Sequence, residues 1–123
     1  MSGNNLAVQI KEAIGAHGAW KLKLKTAINV GYSEYAPKDV RCNDKCRFGQ
    51  WLHSPDISDE IRTSTPYRVI DRLHSEFHEC AANVLELATS GQPVDAMKML
   101  DGEFTLKSEK LVRGLQKWKG EVA

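Results

Sequence analysis

Between residues 65 and 90 the apolar side chains Ile70, Leu73, Phe77, Ala81, Val84, Leu85 and Ala88 return every three or four positions. A stripe with that period can be buried along its whole length only if the segment is one amphipathic helix. Thr65 and Pro66 supply an N-cap and a first-turn proline, and Ser90 with Gly91 supplies the stop. A helix of this length needs partners of similar length to cover it, so the rest of the chain is read for them.

The same period runs from Leu6 to Val30 through Ile10, Ala13, Ile14, Trp20, Leu24, Ala27 and Ile28, and His17 falls inside the stripe. The alternating "KLKLK" of residues 21 to 25 is short and lies within this longer pattern, so helix is expected throughout. After Pro93 a third run carries Val94, Met97, Leu100, Phe104, Leu111, Leu115 and Trp118, less regularly around Lys107. Gly31 and the segment around Pro37 should form a connection. In "CNDKCRFGQWLHSP", residues 42 to 55, Asn43 or Asp44 can cap a short helix with Cys46 in its first turn, where the helix dipole favours a thiolate. A further helical turn is expected near residues 58 to 64. These elements predict an all-α fold: an antiparallel bundle of the four-helix type, with one short helix carrying a cysteine.

At 123 residues the chain is expected to be a single domain, residues 1–123. A net charge of +1 gives no electrostatic footprint for nucleic acid or an acidic membrane. No run approaches the roughly 20 apolar residues of a membrane span, and the N-terminus lacks a signal-peptide pattern, so a cytoplasmic location is expected. Three cysteines argue against a disulfide framework and leave metal binding, redox chemistry or packing.

His74 and His78 stand four residues apart, so both imidazoles leave one helix face and can reach one ion. Such a pair alone is a weak signal, and His17 alone reads as a core histidine. A bundle, however, can bring His17 from the first long helix and Cys46 from the short one to that pair. Three imidazoles and a thiolate complete a tetrahedral set of the kind zinc accepts, and soft sulfur disfavours magnesium and calcium. Cys42 reads as an exposed connector thiol, although its C-x3-C spacing to Cys46 also suits a second thiolate ligand or a resolving cysteine. His53 reads as a surface residue that could stand in as a ligand if His17 points away, and Cys80 as a small apolar filler. Asp71 and Glu76 are candidates to accept the second ring N–H of a ligand histidine, a role a backbone carbonyl would fill equally well.

The motifs "HGAWK" at 17 to 21, "CRFGQWL" at 46 to 52 and "HSEFH" at 74 to 78, in that order, resemble the chemoreceptor zinc-binding domain family. The resemblance runs from about residue 10 to residue 90. It implies an antiparallel helical bundle, commonly a homodimer, with a zinc site of His17, Cys46, His74 and His78. It implies regulation of bacterial chemoreceptors or diguanylate cyclases, controlling chemotaxis or cyclic-di-GMP signalling. Its inputs are zinc availability and oxidants such as hypochlorous acid. It makes Trp20, Gly49 and Trp51 structural, the indoles as core fillers and the glycine as a point of close backbone approach. The chain carries the module by itself, as a separately encoded protein or as a piece of a larger receptor. Two other readings are a structural zinc site supporting a dimerisation module and a small zinc hydrolase. The hydrolase reading is weakened by four available ligands and the lack of an HExxH motif, and no enzyme activity is expected.

Overall fold

The computed structural model describes the backbone of residues 2–122 and the side chains of residues 6–122. Among the described residues all regular structure is helical: α1 Ser2–Gly18, α2 Trp20–Val30, α3 Pro37–Arg41, α4 Arg47–Leu52, α5 Asp59–Arg62, α6 Thr65–Thr89, α7 Pro93–Met99 and α8 Thr105–Val122. A wide π-type turn, Leu100–Phe104, joins α7 to α8. The expected all-α class is therefore the one found.

Three long rods carry the fold: α1 with α2, α6 alone, and α7 with α8. In the first and last rods α1 packs on α8 while α2 packs on α7, so these rods run in opposite directions. α6 lies against α2, α3, α7 and α8, and its stripe is buried almost throughout. Phe77, Ala81, Ala82 and Val84 have no exposed surface, nor do Phe104, Leu111 and Leu115 opposite them. Each large apolar side chain so removed from water contributes about 1.5–3 kcal/mol, which makes this seam the main stabilising element.

Four expectations change in detail. The continuous helix expected from Leu6 to Val30 is interrupted at Ala19, two residues after His17. The Lys23 N–H to Ala19 carbonyl bond there is stretched to 3.4 Å, and Gly18 beside it is a weak helix former. The connection around Pro37 contains the short helix α3, with Pro37 in its first turn, where a missing N–H costs nothing. The cap of α6 is Ser64, with Thr65 and Pro66 already inside the helix. Val94 is 68% exposed and does not join the stripe; Ala96, four residues before Leu100 and so on the same helix face, takes that place. The expected turn near residues 58 to 64 is α5, capped by the Ser58 hydroxyl, which accepts from the Ile61 N–H at 3.3 Å.

Candidate metal centre

His17 lies in the last turn of α1, and His74 and His78 lie one turn apart on the inner face of α6. All three are buried. Cys46 sits half-buried at the N-cap of α4, one residue before the helix and not in its first turn. The cap is its own sulfur, which accepts the Gly49 N–H at 3.3 Å; Asn43 and Asp44, expected to cap, do not. This places the sulfur where the orphan N–H groups of the helix converge.

Gly49 explains how α4 comes close enough. A Cβ on this residue would lie 1.7 Å from the Asn43 carbonyl oxygen, so only glycine lets the preceding turn pack on the helix. Phe48, Trp51 and Leu52 then anchor α4 in the core. Trp51 is the expected core filler. Trp20 is only half-buried, its ring centred 5.3 Å from Tyr35 and 4.8 Å from the Lys23 ammonium.

The four side chains meet. His74 Nε2 is 3.0 Å from His17 Nε2, 3.0 Å from His78 Nε2 and 3.3 Å from Cys46 Sγ. Cys46 Sγ is 3.9 Å from His17 Nε2, and one ligand atom from each of the four residues lies within 4.8 Å of every other. The His17 Nδ1–H donates to the Ala13 carbonyl and the His78 Nδ1–H to the Val40 carbonyl, each at 2.8 Å. These bonds fix both rings in the tautomer whose Nε2 carries a lone pair and no proton, and both lone pairs face the same point. His74 Nδ1 is buried without a hydrogen-bond partner. A proton on His74 Nε2 can satisfy only one of the two facing lone pairs, whereas a cation among them satisfies all. Zinc bonds of about 2.0–2.1 Å to nitrogen and 2.3 Å to sulfur give tetrahedral edges of roughly 3.3–3.6 Å, close to the separations present here. The donor set thus fits a metal ion of the zinc type.

The surroundings keep the imidazoles neutral. Burial pushes the pKa of His17 down to about 4 and that of His74 down to about 2, and lowers that of His78. Phe48 and Phe77 wall the cluster, with Phe77 5.1 Å from the His17 ring and Phe48 5.2 Å from the His74 ring, both edge-on. Cys46 departs from expectation. Burial raises its thiol, and this outweighs the Gly49 and Phe48 N–H groups that favour the thiolate. A coordinated cation would reverse that balance, since coordination deprotonates a thiol.

The residues left outside the cluster are also informative. Asp71 faces the exposed His53 at 3.7 Å, and Glu76 is taken by Lys107 at 3.0 Å and Arg72 at 3.4 Å, so neither orients a site histidine. The backbone carbonyls of Ala13 and Val40 do so instead. No sequence signal marks these two acceptors, because every residue carries a carbonyl. Val40 belongs to α3, which Arg41 ties to α6 through Glu79 at 2.7 Å, Asn83 at 3.0 Å and Glu86 at 3.1 Å. Cys80 is buried on α6 toward Glu103, its thiol pushed up to about 11 by burial. Cys42 is exposed, as expected for a connector thiol.

Among the described residues no helix is long and apolar enough to cross a membrane. No curated protein and no solved structure gives a significant match to the chain. The family model for the chemoreceptor zinc-binding domain matches residues 17–85, a range that opens on His17 and includes Cys46, His74 and His78. That match covers more than half of the 123 residues, and the four side chains it spans converge in the fold: the chain belongs to the chemoreceptor zinc-binding domain family.

Proposed function

We propose that this protein is a zinc-dependent sensory module of one domain, residues 1–123, in which His17, Cys46, His74 and His78 hold one Zn2+. The observation that carries the reading is the convergence of three imidazole nitrogens and one sulfur, with two of the rings locked in the metal-binding tautomer by backbone carbonyls. The family is one of regulatory rather than catalytic domains. When bound, zinc supplies a Lewis-acid centre that stabilises the Cys46 thiolate in a buried place.

The residues themselves suggest what is sensed. Cys46 is the one redox-active donor, it is half-buried where the histidines are buried, and it sits on a helix of six residues. Two surface clefts border it, one of about 300 Å3 beside Glu12, His17 and Phe48, the other of about 260 Å3 beside Trp20, Tyr35 and His78. A small oxidant reaches the sulfur from either. Oxidation removes the negative donor, lowers zinc affinity and frees α4 from α1 and α6. Zinc availability and thiol oxidation, for example by hypochlorous acid, are then two inputs to one conformational output. The downstream process in this reading is chemotaxis or cyclic-di-GMP signalling in the cytoplasm, with a homodimer acting on a chemoreceptor or a diguanylate cyclase.

The test is elemental analysis of protein purified without added metal or chelator, beside a Cys46→Ala variant. We expect one zinc per chain, with affinity reduced at least tenfold in the variant, as removal of a metal-site group gives. No zinc uptake by the unsubstituted chain would sink the reading. Zinc that survives oxidation of Cys46 would leave the structural alternative, a metal-stabilised dimerisation module.

A further inference from the structure

Cys42 ends α3 as its C-cap, and Cys46 opens α4 as its N-cap. Between them the Lys45 N–H turns back toward the Cys42 carbonyl at 3.5 Å, so the chain folds over on itself. Both cysteines line the same cleft of about 260 Å3, together with Lys45, Trp20 and Tyr35. Cys42 is exposed, with its S–H resting on the Lys38 carbonyl at 3.4 Å, and it lies outside the cluster of four. The third cysteine, Cys80, is 3% exposed and borders neither of the clefts that reach Cys46. The two accessible sulfurs are therefore a pair, four residues apart, with one of them in the candidate metal centre.

We propose that Cys42 is a resolving thiol that closes a reversible disulfide with Cys46 once Cys46 has been oxidised. The inference rests on the reading of Cys46 as the oxidised donor and assigns Cys42 a role of its own. In the first step the Cys46 thiolate attacks the oxygen of a two-electron oxidant of the hypohalous acid or peroxide class. An S–O bond forms, the oxidant's O–Cl or O–O bond breaks, and chloride or hydroxide leaves; the product is Cys46 sulfenic acid. In the second step the Cys42 sulfur attacks the Cys46 sulfur, the S–O bond breaks, and the departing hydroxide takes the Cys42 proton and leaves as water. Two thiols have then lost two electrons to one oxidant molecule.

The geometry supports the second step. A disulfide needs its two Cα atoms within about 4.4–6.8 Å, and the turn that brings the Lys45 N–H back toward the Cys42 carbonyl draws Cys46, the next residue, toward Cys42. Cys46 has only to swing its sulfur from the imidazoles into the cleft it already borders. The disulfide holds that sulfur away from His17 and His74, leaving three imidazoles as a weaker site. A thiol or thioredoxin-type reductant then restores the donor. Without Cys42 the sulfenic acid continues with further oxidant to sulfinic acid, which reductants do not reverse. Cys42 thus converts a single-use sensor into a resettable one.

The experiment treats the zinc-loaded full chain and its C42S variant with about three molar equivalents of hypochlorous acid, enough to carry an unprotected sulfenic acid on to sulfinic acid. Remaining thiols are alkylated before trypsin digestion, zinc release is read with a chromogenic chelator, and rebinding is read after dithiothreitol. Cleavage after Lys45 separates peptides 42–45 and 46–47, so a Cys42–Cys46 bond shows as these two joined and lighter by two hydrogens. We expect the joined pair to dominate in the unsubstituted chain. In C42S we expect equal zinc release with Cys46 heavier by one or two oxygens, and zinc rebinding after reductant at least about fivefold lower. Zinc release with Cys46 oxygenated and Cys42 alkylated in the unsubstituted chain overturns the resolving role and leaves the sensor reading standing. A joined pair in a chain that takes up no zinc supports the thiol pairing and overturns the metal reading. The peptide map of the unsubstituted chain decides the pairing even if C42S folds poorly.

Discussion

Gly49 shows how much a single hydrogen in place of a methyl group decides. It is an interior helix position, where glycine is otherwise unfavourable by roughly 0.5–1 kcal/mol relative to alanine. Here a Cβ would overlap the Asn43 carbonyl at 1.7 Å, and the obstacle is backbone, which cannot rotate away. We expect Gly49→Ala to destabilise the fold by about 1–3 kcal/mol, the range for overpacking, as read from urea unfolding. Because the displaced turn includes the residue next to Cys46, zinc affinity should fall in the same variant. A variant that binds zinc normally would show that the turn and the metal centre are uncoupled. The four residues that converge were legible in the sequence as a candidate set at this scale, because their spacing and residue types are unusual in combination. The carbonyls of Ala13 and Val40 were not, since a backbone acceptor has no residue type to read.

At the scale of the element, α3 is the part that periodicity does not announce, being too short for a stripe to repeat. It nonetheless holds His78 through the Val40 carbonyl and is itself held by the contacts of Arg41 with α6. Those ion pairs are partly exposed, with Arg41 34% exposed and Glu79 57% exposed, so solvent screening keeps their net worth to the order of 1 kcal/mol or less. We therefore expect Arg41→Ala to change global stability by less than about 1 kcal/mol. Amide exchange in residues 38–42 should speed up selectively, and zinc should dissociate faster by a few fold. Unchanged exchange there would mean that α3 is held by Val40 packing alone. The break at Ala19 was equally hidden, because the apolar period continues across it.

Across the whole molecule the candidate metal centre joins α1, α4 and α6, and its three buried histidines link stability to pH. For a chain stripped of metal the sign follows from their lowered pKa values. An unfolded histidine takes up its proton near pH 6.5, whereas His17 in the fold does so only near pH 4. Below pH 6.5 the unfolded chain therefore binds more protons, and stability that is fully present above that pH is lost as the pH falls toward 4. We expect the urea midpoint of chelator-treated protein to be clearly lower at pH 5 than at pH 7.5, with His17→Gln flattening part of the slope. A midpoint indifferent to pH in this window would show that the histidines are not held neutral in the fold.

The apolar period alone determined that the chain is helical and where its long rods lie, because burial of a stripe depends on spacing that any sequence displays. The combination of His17, Cys46, His74 and His78 likewise stood out before any coordinates, because metal chemistry restricts donor types. The tertiary structure alone decided that their nitrogens and sulfur face one point, that Cys46 caps α4 with its own sulfur, and that Cys42 shares a cleft with it. Such facts depend on the distance between residues far apart in the chain and on the direction each side chain takes. Spacing along a sequence carries neither.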